Sequence, residues 1–130
     1  MIKQIACNKG SRYSINFVDD QNKLVGWDDN YQCCEDFGWV FHNFASDEEA
    51  DRFENTGDKE DIPDNLSGID NPDLSQAYFA DEQPLATSGK FKIEGCKECN
   101  WLILYNFHNG FYYHGFMYKE KDKEIFRGKL

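Results

Sequence analysis

The strongest constraint on the fold is the alternating run WLILYNFHNGFYYHGFMY (residues 101–118), with Asn109-Gly110 near its centre. Asn-Gly is a strong hairpin signal because both residues tolerate the positive φ of a type I′ turn. The pattern predicts two antiparallel strands, over 101–107 and 111–118, in which Tyr105 lies opposite His114. One face would carry Trp101, Ile103, Tyr105, Phe107, Tyr112, His114, Phe116 and Tyr118, and the other Leu102, Leu104, Asn106, His108, Phe111, Tyr113 and Met117. His108 and His114 then point to opposite faces, so we do not expect them to share a metal ion.

Shorter runs predict the other strands. Tyr13, Ile15 and Phe17 recur at period two, and the polar turn DDQNK separates them from residues 24–27, which together predict a hairpin. Further strands are predicted over 31–35, 37–44, 90–94 and 124–130. We therefore expect an α+β fold: a predominantly antiparallel sheet, curled into a half-barrel or split into two packed sheets, with one or two short helices from an acidic middle segment.

The acidic middle segment, residues 46–84, has thirteen acidic and two basic residues and contains all three prolines. We interpret the chain as a single domain, residues 1–130, with this segment as an insertion. Ser46 followed by Asp47, Glu48 and Glu49 is typical of a capped helix N-terminus, which predicts a short helix over 47–54. Residues 58–75 are predicted to be a long loop or a partly mobile insertion, docked back onto the body by residues 77–80.

Composition narrows the classes of partner and compartment. The net charge of −10 opposes binding to nucleic acid or to an anionic membrane surface, so we expect a protein partner with a basic surface. Five cysteines, an odd number, fit a reducing compartment better than a disulfide scaffold. The N-terminal residues lack the pattern of a signal peptide and no long apolar run occurs, so we expect a cytoplasmic protein, in a bacterial cell.

Cys96 and Cys99 form the clearest metal-like motif, because a CxxC turn can present two thiolates to one tetrahedral zinc ion. A structural site needs two more ligands. Cys33 and Cys34 would face opposite ways on a strand, so one of them, assigned here as Cys34, and a histidine would complete the set. No cofactor is otherwise expected. The CxxC is a weaker candidate for a thioredoxin-like redox motif, since the preceding βαβ unit is missing.

A cysteine-dependent enzyme is a further hypothesis, with Cys33 or Cys34 activated by His42, His108 or His114. Nothing in the sequence places such a pair together, and buried thiols that fill a core are commoner. The chain has no glycine-rich phosphate loop and no aspartate spacing typical of a calcium loop, which excludes these two classes of site.

Two motifs support a resemblance to a known group. With YQCCEDFG at 31–38, LILYNFHNGFYYHGFMY at 102–118 and the ending IFRGKL, the chain resembles a family of small bacteriophage and bacterial proteins that has no assigned enzyme activity. The marks of that family are a CCE tripeptide and a C-terminal HNGYYxHGF stretch. The resemblance covers residues 11–44 and 100–130, with Phe111 in place of the expected tyrosine. It implies a phage or mobile-DNA setting and transfers no catalytic residue.

The sequence therefore favours a non-enzymatic accessory protein that binds another macromolecule. We expect it to inhibit a host defence or nucleic-acid enzyme through an acidic surface made of Asp58, Glu60, Asp61 and Asp64. The alternatives are a small zinc-stabilised domain and a cysteine-dependent enzyme. A further alternative for the acidic segment is a solvated insertion that only maintains solubility.

Overall fold

The computed structural model describes residues 1–6, 13–30, 36–108 and 113–130. Within these ranges the chain forms ten strands in two five-stranded sheets, with one short α-helix, α1 (Asp47–Arg52). The strands are β1 (Lys3–Ala6), β2 (Ile15–Val18), β3 (Lys23–Trp27), β4 (Asp36–His42), β5 (Thr56–Gly57), β6 (Tyr78–Phe79), β7 (Lys90–Glu94), β8 (Trp101–Phe107), β9 (Gly115–Glu120) and β10 (Lys123–Lys129).

The first sheet has the order β1-β2-β3-β9-β10, and all of its pairs are antiparallel. It contains the predicted N-terminal hairpin, since β2 pairs β3 with Ile15 opposite Trp27. The strand predicted over 124–130 is also present and pairs β9. Residues 31–35, predicted as a strand, lie outside the described residues.

The second sheet has the order β4-β8-β7-β6, and β5 adds a short parallel pair to β8. The strand predicted over 90–94 coincides with β7, and β7 and β8 form an antiparallel hairpin. The predicted docking of residues 77–80 is realised by β6, in which Phe79 lies opposite Ile93.

The hairpin predicted across Asn109-Gly110 is wrong in its pairing, although the turn itself lies outside the described residues. β8 belongs to the second sheet and β9 to the first, and Tyr105 lies opposite Gly38 on β4. Over residues 101–103, β4 occupies one edge of β8 and β7 occupies the other. No edge of β8 remains for β9 there, so the chain passes from one sheet to the other.

The two sheets pack face to face around an aromatic core. Phe17 of the first sheet makes edge contacts with Trp39 and Phe41 of the second, at centroid distances of 5.6 and 6.1 Å. Phe116 and Tyr118 of β9 share this core with Leu102 and Leu104. The predicted grouping of Phe116 and Tyr118 with Trp101 and Ile103 is therefore wrong, because β8 and β9 face each other across the core and are not neighbours in one sheet.

The outer face of β8 has a second apolar cluster, which is covered by the acidic middle segment. Trp101 and Ile103 pack there with Ala50 of α1 and with Phe53, which follows the helix. The helix begins as predicted: Ser46 Oγ accepts a hydrogen bond from the Glu49 N–H at 3.1 Å. The Glu49 carboxylate reaches back to the Ala45 N–H at 2.8 Å. Burying Trp101 and Ile103 explains why the helix lies on this face.

The fold is thus dominated by strands, more than the α+β prediction allowed. Within the described ranges, the helical content is α1, two residues shorter than predicted, and two 3₁₀ turns, Lys59–Asp61 and Ala86–Ser88. Of the two arrangements expected for the sheet, two packed sheets is the one observed. No helix in this part of the chain is both long and apolar enough to cross a membrane.

Candidate functional site

The acidic surface predicted from the sequence lies on the turn that follows β5. Asp58, Glu60, Asp61 and Asp64 are all exposed, and the Asp61 N–H closes the turn onto the Asp58 carbonyl at 2.9 Å. Among the described residues, none of these four carboxylates forms an ion pair. By contrast, Asp47 pairs with Lys92 at 3.0 Å and Asp81 with Lys23 at 2.6 Å. Within the described chain the four predicted residues thus have no ion-pair partner, and the one basic residue among them in the sequence is Lys59.

Backbone contacts hold this surface on both sides. Before it, the carbonyl groups of Asn55 and Gly57 accept hydrogen bonds from the N–H groups of Asn106 and His108, each at 2.9 Å. After it, the Ile69 N–H donates to the Phe41 carbonyl at 2.7 Å. Because both flanks are fixed to the second sheet, the four carboxylates are presented on a supported turn.

Gly68 allows the second of these contacts. Its φ is 62°, and a Cβ atom built there would lie 1.9 Å from Val40 Cγ2 and 2.4 Å from the Phe41 carbonyl oxygen. Any other residue would clash with β4 in this backbone conformation. The glycine therefore lets the chain after the acidic surface run directly against the sheet.

The buried Lys90 fastens α1 to the second sheet. Its Nζ atom donates to the carbonyl groups of Ala50, Asp51 and Phe53 at 2.8, 3.0 and 2.7 Å. These carbonyls are at the C-terminal end of the helix, where a cation is favoured by the helix dipole. Burial lowers the pKa of the Lys90 ammonium, and the carboxylates of Asp51 and Glu54 partly oppose this shift.

A second polar cluster holds the other end of the acidic segment. The buried carboxylate of Asp19 accepts hydrogen bonds from the backbone N–H groups of Gln21, Lys23 and Phe79, at 3.0, 2.9 and 2.9 Å. The Lys23 ammonium donates to the Phe79 carbonyl at 3.1 Å and to Asp81 at 2.6 Å. The β2–β3 turn of the first sheet is thereby joined to β6 of the second.

The predicted metal ligands Cys96 and Cys99 lie in the loop between β7 and β8. Their Sγ atoms are 3.1 Å apart, with the Cys99 thiol donating to Cys96, while Cys96 donates to Glu98 Oε2 at 3.4 Å. Cys99 is buried and Cys96 is partly exposed. Burial, followed by the contact with Cys96, raises the pKa of the Cys99 thiol well above its usual range.

The predicted zinc site also included Cys34 and a histidine. Cys33 and Cys34 lie outside the described part of the chain. Among the residues that the structure does describe, no group of three or more His, Cys, Asp or Glu side chains is arranged to hold a metal ion. The zinc hypothesis therefore stands on two thiols.

The three histidines have different environments. His114 is fully buried: its ring stacks on Phe37 at 4.1 Å, and its Nδ1 atom donates to the Asp28 carbonyl at 2.7 Å. His42 stacks on Phe44, and its Nε2 atom lies 3.0 Å from the Asn65 carbonyl. His108 is partly buried beside the Tyr113 ring. Burial raises the pKa of Asp29, a residue near His114.

The cysteine-enzyme hypothesis requires one of these histidines to act as a base. The His42 and His114 rings are each packed against an aromatic side chain and bonded to a backbone carbonyl, as structural histidines are. The two thiols proposed as nucleophiles, Cys33 and Cys34, are outside the described residues.

Sequence reasoning missed the residues that fix the segment carrying the acidic surface, above all Lys90, Lys23 and Asp19. Lys90 opens a predicted strand, where a lysine is ordinarily solvated, and its partners are 37 to 40 residues away.

Comparison of the chain with protein-family models, curated proteins and solved structures finds no match.

Proposed function

We propose that this protein is a non-enzymatic binding protein whose acidic surface, Asp58, Glu60, Asp61 and Asp64, docks onto a basic surface of another protein. The observation that carries the proposal is that these four carboxylates are exposed on a supported turn and have no cationic partner in the described chain. Uncompensated charges of one sign attract an oppositely charged partner and accelerate encounter. The resemblance described above suggests the biological setting: we propose that the chain is a phage-type accessory protein that acts in the bacterial cytoplasm and inhibits a defence or nucleic-acid enzyme.

The fixed backbone on either side of the acidic surface supports the same proposal. A turn held at Gly57 and at Ile69 loses little conformational freedom when a partner binds, so less of the interaction free energy is spent on ordering. A merely solubilising insertion would need no such attachment.

The test compares two variants of equal charge. One variant carries Asp58→Asn, Glu60→Gln, Asp61→Asn and Asp64→Asn. The control carries Glu48→Gln, Glu54→Gln, Glu82→Gln and Asp122→Asn, which are also exposed. Partners captured by the wild-type chain from bacterial extract at low salt would be purified, and their affinity for each variant measured by calorimetry.

We expect the acidic-surface variant to bind roughly thirtyfold more weakly, which corresponds to about 2 kcal/mol, and the control to stay within about threefold of wild type. The wild-type affinity should also fall steeply with salt concentration. Equal losses in both variants would mean that only net charge matters, and unchanged binding in both would refute the electrostatic proposal.

A second candidate function, a zinc-stabilised domain, is favoured by the juxtaposition of Cys96 and Cys99. Zinc–thiolate bonds of about 2.3 Å separate two sulfur atoms by about 3.8 Å in a tetrahedron, so the present 3.1 Å needs only a small outward rotation. The pair fits two of the four positions, with Cys34 proposed as the third. Elemental analysis of protein purified without added zinc decides the question, and metal well below one equivalent would refute this candidate.

A further inference from the structure

The loop between β7 and β8 holds two thiols in contact on a fixed frame. Before the pair, Gly95 adopts a φ of 79°, and a Cβ atom there would lie 2.2 Å from the Gln76 carbonyl oxygen. After the pair, the Asn100 side chain donates to the Phe44 carbonyl and accepts from the Phe44 N–H, both at 2.8 Å. The Ile93 N–H also donates to the Asn100 carbonyl at 2.8 Å, so the 3.1 Å between the two Sγ atoms belongs to a loop that is anchored at its base and after the pair.

The two thiols differ in access. Cys99 is 1% exposed and belongs to the core between the sheets, whereas Cys96 is partly exposed. A reagent in solution can meet the Sγ atom of Cys96 but not that of Cys99. Cys99 can reach a sulfur atom bound to Cys96, because the two are already in contact.

We propose that Cys96 and Cys99 form a thiol–disulfide exchange site that is oxidised by low-molecular-weight disulfides of the glutathione class. The Cys96 sulfur attacks one sulfur of the small disulfide, forming a mixed disulfide and releasing one small thiolate. The Cys99 sulfur then attacks Cys96 Sγ, forming the Cys96–Cys99 disulfide and releasing the second thiolate. The two released thiolates take up the two protons lost by the cysteines, so two thiols are oxidised and one disulfide is reduced.

The second step depends on proximity, because the raised pKa of the buried Cys99 thiol leaves only a small fraction of it as the attacking thiolate. Disulfide formation requires the sulfur atoms to close from 3.1 Å to about 2.05 Å, a shift that the loop between its two anchors can absorb by side-chain rotation. Attack within the loop is effectively unimolecular, so it outcompetes a second small thiol from solution. The site needs no further ligand, which distinguishes it from zinc binding, and no helix that begins at the motif, which distinguishes it from a thioredoxin-like site.

The experiment uses the full chain, reduced, freed of metal with a chelator and treated under native conditions with oxidised glutathione. Intact mass and peptide mapping should show the loss of two hydrogen atoms, located in a Cys96–Cys99 disulfide, without a lasting glutathione adduct on Cys96. A stable adduct on wild-type Cys96, or a disulfide that joins either residue to Cys7, Cys33 or Cys34 instead, would overturn the proposal.

Two variants test the order of the steps. Cys99→Ser should retain one glutathione on Cys96, because the internal attack is lost. Cys96→Ser should leave Cys99 unmodified on the time scale of the wild-type reaction, because Cys99 is buried. Equally fast modification of Cys99 in the Cys96→Ser variant would contradict the assigned roles. The mapping of the wild-type disulfide remains decisive if either variant fails to fold.

Discussion

Two buried lysines attach the acidic middle segment to the sheets at its two ends, and they do so by different chemistry. Lys90 donates only to backbone carbonyls at the end of α1, while Lys23 donates to one carbonyl and to the exposed carboxylate of Asp81. An ammonium whose hydrogen bonds all go to carbonyl groups depends mainly on the folded backbone for its compensation, to which the carboxylates of Asp51 and Glu54 add. The end held by Lys90 should therefore be the more sensitive to substitution.

A segment of charge −11 can be fixed to the sheets without ion pairs to its central carboxylates within the described residues. Four of the five hydrogen bonds made by the Lys90 and Lys23 ammonium groups go to backbone carbonyls. The attachment thus uses the backbone of the segment more than its acidic side chains. Among the described residues, no cation forms an ion pair with the carboxylates of the acidic surface.

The largest effect on stability is expected for Lys90→Met. The methionine fills a similar volume but leaves the carbonyls of Asp51 and Phe53 without their ammonium donor, and unpaired buried polar groups are costly. We expect a loss of about 3 kcal/mol in the free energy of unfolding, measured by urea denaturation.

Lys92→Met is the matched control for that substitution. Lys92 lies on the same strand and face and binds Asp47 at the other end of α1, but it is 35% exposed. A partly exposed ion pair contributes roughly 0.5 kcal/mol. If the two substitutions destabilise equally, the contrast between carbonyl and carboxylate anchors is wrong.

The pH dependence of this difference follows from the lowered pKa of Lys90. Burial holds its pKa below the ordinary 10.5, so at alkaline pH the folded protein releases the proton before the unfolded chain does. Stability contributed by this group therefore rises with pH between the lowered pKa and 10.5. The difference between wild type and Lys90→Met should increase between pH 8 and pH 10 in paired urea titrations, and a decreasing difference would contradict the direction of the shift.

An intermediate effect is expected at the other end of the segment, for Asp19→Asn. The amide nitrogen would face a backbone N–H in place of a carboxylate oxygen, and at least one of the bonds to Lys23 and Phe79 would be lost. We expect a loss of about 2 kcal/mol in the free energy of unfolding. Asp20→Asn, an exposed neighbour that binds the N-terminal ammonium group, is the control and should change the denaturation midpoint little.

Local signals in the sequence predicted the parts of the fold that depend on neighbouring residues. The β2–β3 hairpin, the β7 strand and the Ser46 helix cap are fixed by alternation, turns and capping within a few residues. The position of β9 is not fixed by such local signals, because alternation defines the two faces of a strand but not its neighbours in the sheet. Burial of β8 on both faces, with a partner at each edge, is a property of the assembled sheet.

The same distinction applies to the candidate sites. Exposure of the four carboxylates could be expected from an acid-rich, proline-containing turn, and the structure places them so. The contacts of Asn55, Gly68 and Lys90 that hold this segment against the second sheet could not be expected, because each of these residues bonds or packs against a distant part of the chain. The spacing of Cys96 and Cys99 was enough to predict that they lie close together. Their difference in burial could not be predicted, because it depends on how the core packs around Cys99.

The smallest effect on stability should come from Asp81→Asn, which removes the only carboxylate bound to Lys23 within the described residues. Asp81 is almost fully solvated, and its pKa is lowered by the ammonium of Lys23, so its contribution is largely screened by water and salt. The Phe79 carbonyl still accepts from Lys23 in the variant. The difference between wild type and Asp81→Asn should shrink as sodium chloride is added to the urea titration, whereas that for Lys90→Met should persist, because carbonyl contacts in a buried site are screened far less. A loss of unfolding free energy as large as that of Asp19→Asn, or one insensitive to salt, would show that the Asp81 carboxylate is the main anchor of this end. Lys23 and Lys90 would then have different partners but hold the acidic segment equally firmly.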